Sequence, residues 1–139
     1  MRIVIMGSGR TGALLATMLV DANHDVSIID YDDRAFSRLP EDFSGETILG
    51  NALEQDVLRR AGIESADVFV AATSGDNRNV MASELALHAF NVGRVVARIK
   101  DPNRAKIYSE MGLQVDCRTM QGAQLLLDMV DGAASEQTS

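Results

Sequence analysis

Six residues near the amino terminus, Gly7-Ser8-Gly9-Arg10-Thr11-Gly12, have the types and spacing to hold a phosphate. In a G-x-G-x-x-G pattern the first glycine permits a tight turn, the second lets the backbone approach a diphosphate, and the third lets a helix pack closely on the strand before it. The free N–H groups at the start of that helix, at the positive end of its dipole, favour an anion. Asp30 stands eighteen positions beyond Gly12, near the spacing at which a carboxylate accepts hydrogen bonds from ribose hydroxyls. Arg10 is either a charge-assisted donor to the phosphates or a solvated arginine. The chemistry is the holding of an adenine nucleotide. An acid at the ribose position repels a 2′-phosphate, so NAD or an adenosine nucleotide is favoured over NADP, a preference that Arg34 weakens only slightly.

Further along, Gly50-Asn51-Ala52 falls where an adenine base would lie. The Asn51 amide offers both donor and acceptor to the base, with a plain turn as the competing reading. The stretch Ala72-Thr73-Ser74-Gly75-Asp76-Asn77-Arg78-Asn79 is a polar loop entering a helix. Thr73 is placed to touch ribose or diphosphate, Asp76 or Asn77 to cap the helix, and Asn79, inside it, to bond across to another loop. Arg98, closing a strand, suits either a phosphate or an interface ion pair.

Catalytic groups are scarce. Histidine is the usual acid or base, and His24 and His88 fall away from the expected cleft. With one cysteine, no H-x-x-x-H or C-x-x-C spacing and no G-x-S-x-G, no metal site or serine nucleophile is expected.

The elements that must position these residues follow from hydrophobic patterning. Short apolar runs at 2–6, 25–30, 46–49, 68–72, 94–98 and 114–117 alternate with helical patterns at 11–21, 33–39, 53–61, 77–90 and 102–111. Apolar runs separated by amphipathic helices indicate an α/β fold, a doubly wound parallel sheet covered on both faces. Asp101-Pro102 reads as an N-cap with proline at the first helical position, and Gly62 and Gly112 close helices. Crossover handedness gives the Rossmann strand order 3-2-1-4-5-6, with the ligand above the carboxyl ends of strands one and four.

At 139 residues the chain is read as a single domain over residues 1–132, with no room for a separate substrate domain. The small polar stretch 133–139 is expected to be a disordered tail or linker. A formal charge of −7 disfavours nucleic acid and anionic membranes as partners. The lone Cys117, the direct start in a strand and the lack of any long apolar run point to a soluble, cytoplasmic protein with no direct membrane insertion. Residues 119–130 carry more apolar surface than a helix packed on one side needs. Their partner is either a second chain or the sheet of their own.

Taken together, the glycine loop, Ile29-Asp30, Gly50-Asn51-Ala52, Ala72-Thr73 with Asp76 and Asn79, Ala97-Arg98-Ile99-Lys100-Asp101-Pro102 and Gly112-Leu113-Gln114-Val115-Asp116 resemble the amino-terminal domain of the regulators of potassium conductance (RCK). These domains occur in Trk and Ktr potassium-uptake regulatory subunits and in channel gating rings. The resemblance covers about residues 1–130. It implies a homodimer or higher ring that binds NAD(H) or ATP/ADP without turning it over and gates a membrane potassium-translocating subunit. By the same resemblance the last helix crosses to a neighbouring subunit, and Met81, Leu85, Phe90 and Tyr108 are assembly candidates or core. Three features depart from the family pattern: Asn51 replaces a frequent acid, a pair of acids near Gly75 and Asn77 is missing, and the sequence lacks the usual carboxy-terminal ligand-binding domain, being either a naturally short subunit or the nucleotide-binding part of a longer one. The implied site is Gly7, Ser8, Gly9, Arg10, Thr11, Gly12, Asp30, Asn51, Ala52, Thr73 and Arg98. A small NAD-dependent oxidoreductase subunit is the alternative; it needs an acid or base near the nicotinamide.

Overall fold

A computed structural model describes residues 1–132 of the chain; the tail expected after Gly132 lies outside them. Six strands, β1 (Arg2–Met6), β2 (Asp25–Asp30), β3 (Glu46–Leu49), β4 (Val68–Ala71), β5 (Arg94–Arg98) and β6 (Gln114–Asp116), form one sheet. Its order is β3-β2-β1-β4-β5-β6 and every pairing is parallel. The expected topology is therefore the observed one.

The central strand shows why. Val4 and Ile5 have no exposed surface, and Ile3 and Met6 keep 2% each, since both faces of β1 are covered. Val4 and Met6 join the larger core with Phe69 and Leu58, whereas Ile3 and Ile5 meet Ala16 and Ile28 on the opposite face. The edge strand β3 is mostly exposed, which suits its Glu46 and Thr47.

The helices are α1 (Arg10–Asp21), α2 (Gln55–Arg60), α3 (Asp76–Glu84), α4 (Pro102–Glu110) and α5 (Arg118–Asp131). Two expected helices differ in kind. The segment after β2 is a 3-10 helix, Asp33–Arg38, begun by Asp32, whose carboxylate accepts the Arg34 amide at 3.1 Å. The long helix after β4 changes to a π turn over Leu85–Ala89, where the Phe90 amide reaches back to the Leu85 carbonyl. Asp101 caps α4 by accepting the Asn103 amide at 3.2 Å, and Gly62 and Gly112 take the left-handed conformation after their helices.

One face of β4 to β6 lacks a helix of its own. Val70 and Val96 stay partly open there, beside an apolar groove of about 420 Å³ that also takes in Leu14 and Met18 from α1. Helix α5, which follows β6, buries none of its residues; Leu126 is 64% exposed and Met129 60%. Of the assembly candidates, Met81 is exposed, while Leu85, Phe90 and Tyr108 pack partly against the larger core.

Candidate functional site

The carboxyl ends of β1, β2 and β4 open into a cavity of about 670 Å³. Its floor is the glycine loop. Gly7 has φ +106°, a left-handed value available to glycine, and donates its amide to the Ile29 carbonyl at 2.8 Å. A Cβ on Gly12 would run into the Gly7 carbonyl oxygen, so only glycine lets α1 start so close to β1. At Gly9 nothing lies within 4 Å of where a Cβ would stand. Gly9 is the N-cap of α1 and no side chain caps that helix, which leaves its first-turn amides facing the cavity. These features fit a phosphate.

Ser8 plays a different part. Its side chain is fully buried and its hydroxyl donates to the Ala35 carbonyl at 3.1 Å, tying the loop to the 3-10 helix. Its amide donates to Asp30 Oδ2 at 2.8 Å, while Asp30 Oδ1 accepts the Asp32 amide at 2.9 Å. Asp30 thus braces the loop and lines the cavity with the same carboxylate. Next to it, Asp32 pairs with Arg34 at 3.1 Å, and that hydrogen bond holds its carboxyl below the ordinary aspartate range.

At the end of the cavity beyond β3, Asn51 uses its side-chain oxygen within the protein. Its Oδ1 accepts the Leu53 amide at 3.0 Å and Arg78 Nη2 at 3.2 Å, so its side chain makes the turn and does not line the cavity. Ala52 does line it. Arg78 then reaches across the mouth, its guanidinium carbon 5.0 Å from the centroid of Tyr31. This contact joins the loop after β2 to α3.

Thr73 forms the second wall, held by Asn79. Asn79 Oδ1 accepts the Thr73 hydroxyl at 2.6 Å and its amide at 3.1 Å, and Nδ2 donates to the Thr73 and Arg98 carbonyls at 3.0 and 2.7 Å. The expectation that Asn79 bonds across to another loop is met. The expected side-chain cap at Asp76 or Asn77 is not formed, since Gly75 is the N-cap. Asp76 accepts the Lys100 and Asp101 amides at 2.8 and 3.1 Å, and Asn77 accepts from Arg104 at 2.7 Å. Burial raises the Asp76 carboxyl, but the two amides and the neighbouring Arg104 and Lys100 outweigh it and hold the group below its ordinary value.

Of the remaining expected residues, Arg10, Thr11 and Arg98 line the cavity, and Gly12 lies behind its floor. Arg38, Arg78 and Arg118 line it as well, and local sequence does not mark them because they come from three distant segments. The cavity therefore gathers five arginines against Asp30 and Asp32, in a chain whose overall charge is −7. His24 sits 3.1 Å from the terminal amine and His88 3.0 Å from Glu84, both outside the cavity. Among the described residues no cluster of three or more His, Cys, Asp or Glu is arranged to hold a metal.

The pattern model of the TrkA-N domain matches residues 3–116. The chain belongs to the TrkA-N domain family. It is 47% identical over 113 residues to the Trk system potassium uptake protein TrkA of Streptomyces coelicolor, an alignment covering 81% of this chain and 51% of that protein. The chain thus spans about half the length of that relative. Among solved structures, the TrkA-N domain of the inner membrane protein ybaL from Escherichia coli superposes with a TM-score of 0.81 at 19% identity, over 92% of this chain and 95% of that one. The Kef carboxy-terminal domain of Shewanella denitrificans in its AMP-bound form gives 0.75 at 25% identity, over 91% and 77%. The TrkA-N fold and the expected RCK-type Rossmann architecture therefore coincide in this chain.

Proposed function

We propose that this TrkA-N domain is the nucleotide-sensing part of a potassium uptake system. It takes NAD(H) or ATP/ADP into the cleft at the ends of β1 and β4 and releases it unchanged. One observation carries the reading: the open Gly9 floor, the uncapped start of α1 and the braced Asp30 carboxylate all meet in one 670 Å³ cavity. That set has a place for phosphate and a place for ribose. The AMP held by the Kef relative and the potassium uptake role of the Streptomyces relative support it.

Sensing requires that the ligand bind two conformations with different affinity, since only then does occupancy shift their balance. A second copy of the chain supplies the mechanical element. Helix α5 leaves Leu126 and Met129 exposed, and the open face of β4 to β6 leaves an apolar groove, so exchange of α5 between two copies covers both. The dimer or a larger ring of dimers then acts on a membrane potassium-translocating subunit from its cytoplasmic side. No described helix is long and apolar enough to cross a membrane, so translocation itself falls to that partner.

Titration calorimetry of the chain with NADH, NAD, ATP, ADP and NADPH tests the proposal. Saturable binding of at least one, with no loss of the cofactor on prolonged incubation, is expected. Absence of heat with all five would remove it, and steady oxidation of NADH with a small carbonyl compound would favour the oxidoreductase alternative.

A further inference from the structure

Loops from two other strands hold Arg78 at the mouth of the cleft. Its Nη2 donates to Asn51 Oδ1, after β3, at 3.2 Å, and its guanidinium carbon stands 5.0 Å from the ring centroid of Tyr31, after β2. Resting on the nucleotide reading above, we propose that Tyr31 is a built-in competitor of the base: its ring covers the face of Arg78 on which an adenine would stack, and a nucleotide seats its base only as that ring swings aside.

Distances make the ring and a base mutually exclusive. Heavy atoms in contact lie about 3.5–4.0 Å apart, so a flat base held between a ring and a guanidinium needs about 7 Å between them. The 5.0 Å found here leaves no such gap. The contact also stands where a base arrives. Tyr31 follows Asp30 directly and lines the cavity with Gly50, Ala52 and Arg78, so a nucleotide whose ribose rests on Asp30 brings its base to this group. Asn51 has already given its side-chain oxygen to the Leu53 amide and to Arg78, which leaves the guanidinium face as the surface for the base.

Of the two partners, Tyr31 is the one free to move. Arg78 is partly buried in α3, between Asp76, which accepts the Lys100 and Asp101 amides, and Asn79, which has no exposed surface. Tyr31 is 68% exposed, on a backbone pinned beside it: the Asp30 carbonyl accepts the Gly50 amide at 2.9 Å, and the Asp30 carboxylate accepts the Asp32 amide at 2.9 Å. Release is thus a side-chain rotation that leaves the loop and α3 in place. It gives up one cation–π contact of the weak, exposed kind. The base replaces that contact and adds to it, because Arg78 Nε is buried without a hydrogen-bond partner and a purine edge carries ring-nitrogen acceptors that a phenol face lacks. The apparent affinity of every adenine nucleotide is therefore lowered by the same factor, whatever its phosphates.

The test is calorimetry of the whole chain with AMP and with ATP, in the wild type, Tyr31→Ala, Tyr31→Phe, Arg78→Ala and the double variant Tyr31→Ala with Arg78→Ala. Tyr31→Ala is expected to tighten both nucleotides by the same factor, about threefold to fivefold, and Tyr31→Phe, which keeps the ring face, to stay within about twofold of the wild type. In the Arg78→Ala background Tyr31→Ala is expected to change nothing further, since no guanidinium is left to contest. Unchanged or weaker binding in Tyr31→Ala would overturn the proposal, the weaker result by making the ring a direct support of the base. So would a gain that persists without Arg78, that is confined to one nucleotide, or that Tyr31→Phe reproduces in full. Failure of the wild type and every variant to bind either nucleotide would instead remove the nucleotide reading, and this inference with it.

Discussion

Asp30 accepts the Ser8 amide at 2.8 Å, so the acid that ends β2 holds the glycine loop in place from the neighbouring strand. The G-x-G-x-x-G loop and Asp30 are thus one mechanical unit. Replacing Asp30 with Ala removes the acceptor for Ser8 and for Asp32, whose amide lies 2.9 Å from the other oxygen. We expect a stability loss of about 1–3 kcal/mol as well as weaker nucleotide binding. Urea unfolding checks the first and calorimetry the second; a variant that loses affinity without losing stability would show that the brace contributes nothing to folding.

Asn79 is the corresponding joint on the other wall. It has no exposed surface and makes four hydrogen bonds, two from Thr73 to its oxygen and two from its nitrogen to the Thr73 and Arg98 carbonyls. Asn79→Leu keeps the approximate volume but strands these groups, each at a cost of about 1–3 kcal/mol. The expected loss in urea unfolding is about 3 kcal/mol or more. A change under about 1 kcal/mol would mean that water takes over the lost bonds.

What could be read from the chain in advance, and what could not, follows from how local each cause is. The unbroken Ile3-Val4-Ile5 run announces a strand covered on both faces, and Gly7, Gly9 and Gly12 announce the loop, because backbone geometry admits little else there. Asn79 was legible from its position: an asparagine inside a helix cannot cap it and turns to partners beyond that helix. Asp76 misled because an acid at a helix start ordinarily caps it, whereas here the β5–α4 loop brings two amides to the carboxylate. Arg38, Arg78 and Arg118 were invisible as site residues, since they are scattered arginines until the sheet order brings their segments to one cavity. Asn51 could be read either as a base contact or as a turn, and the Leu53 amide favours the turn.

Tyr31 and Arg78 meet across the mouth of the cleft, a guanidinium 5.0 Å from a ring centroid. With Asn51 holding Nη2, this pair forms a wall beside the expected base. Arg78→Ala is expected to reduce affinity for every adenine nucleotide by about threefold to tenfold, the scale of a cation–π contact at a partly exposed site. Unequal losses among AMP, ADP and ATP would show that Arg78 contacts phosphate and not the base end.

Asp76 gives the fold a dependence on acid. Its carboxyl titrates below its ordinary value of 3.8, since the Lys100 and Asp101 amides and the nearby cations outweigh its burial. A depressed folded value means that the carboxylate's stabilisation is complete above the unfolded value and is lost as pH falls through the folded one. The difference in unfolding free energy between the wild type and Asp76→Asn is therefore expected to hold steady from pH 7 to about pH 5 and to shrink below about pH 4. A difference that grows on acidification would reverse the sign and disprove the assignment.

The bare flank of α5 yields the sharpest test of assembly. Leu125, Leu126, Leu127, Met129 and Val130 are each at least half exposed, on a helix that buries nothing in its own chain. A soluble monomer gains nothing from such a surface, whereas a second copy offers the uncovered groove along Leu14, Met18, Val70 and Val96. Leu126→Glu combined with Met129→Glu places two charges in that contact, and light scattering is expected to report a monomer where the wild type is a dimer or larger. Because neither residue supports the core, thermal unfolding of the dilute variant should match that of the dissociated wild type. A wild type that is already monomeric at tens of micromolar would end the case for exchange of α5.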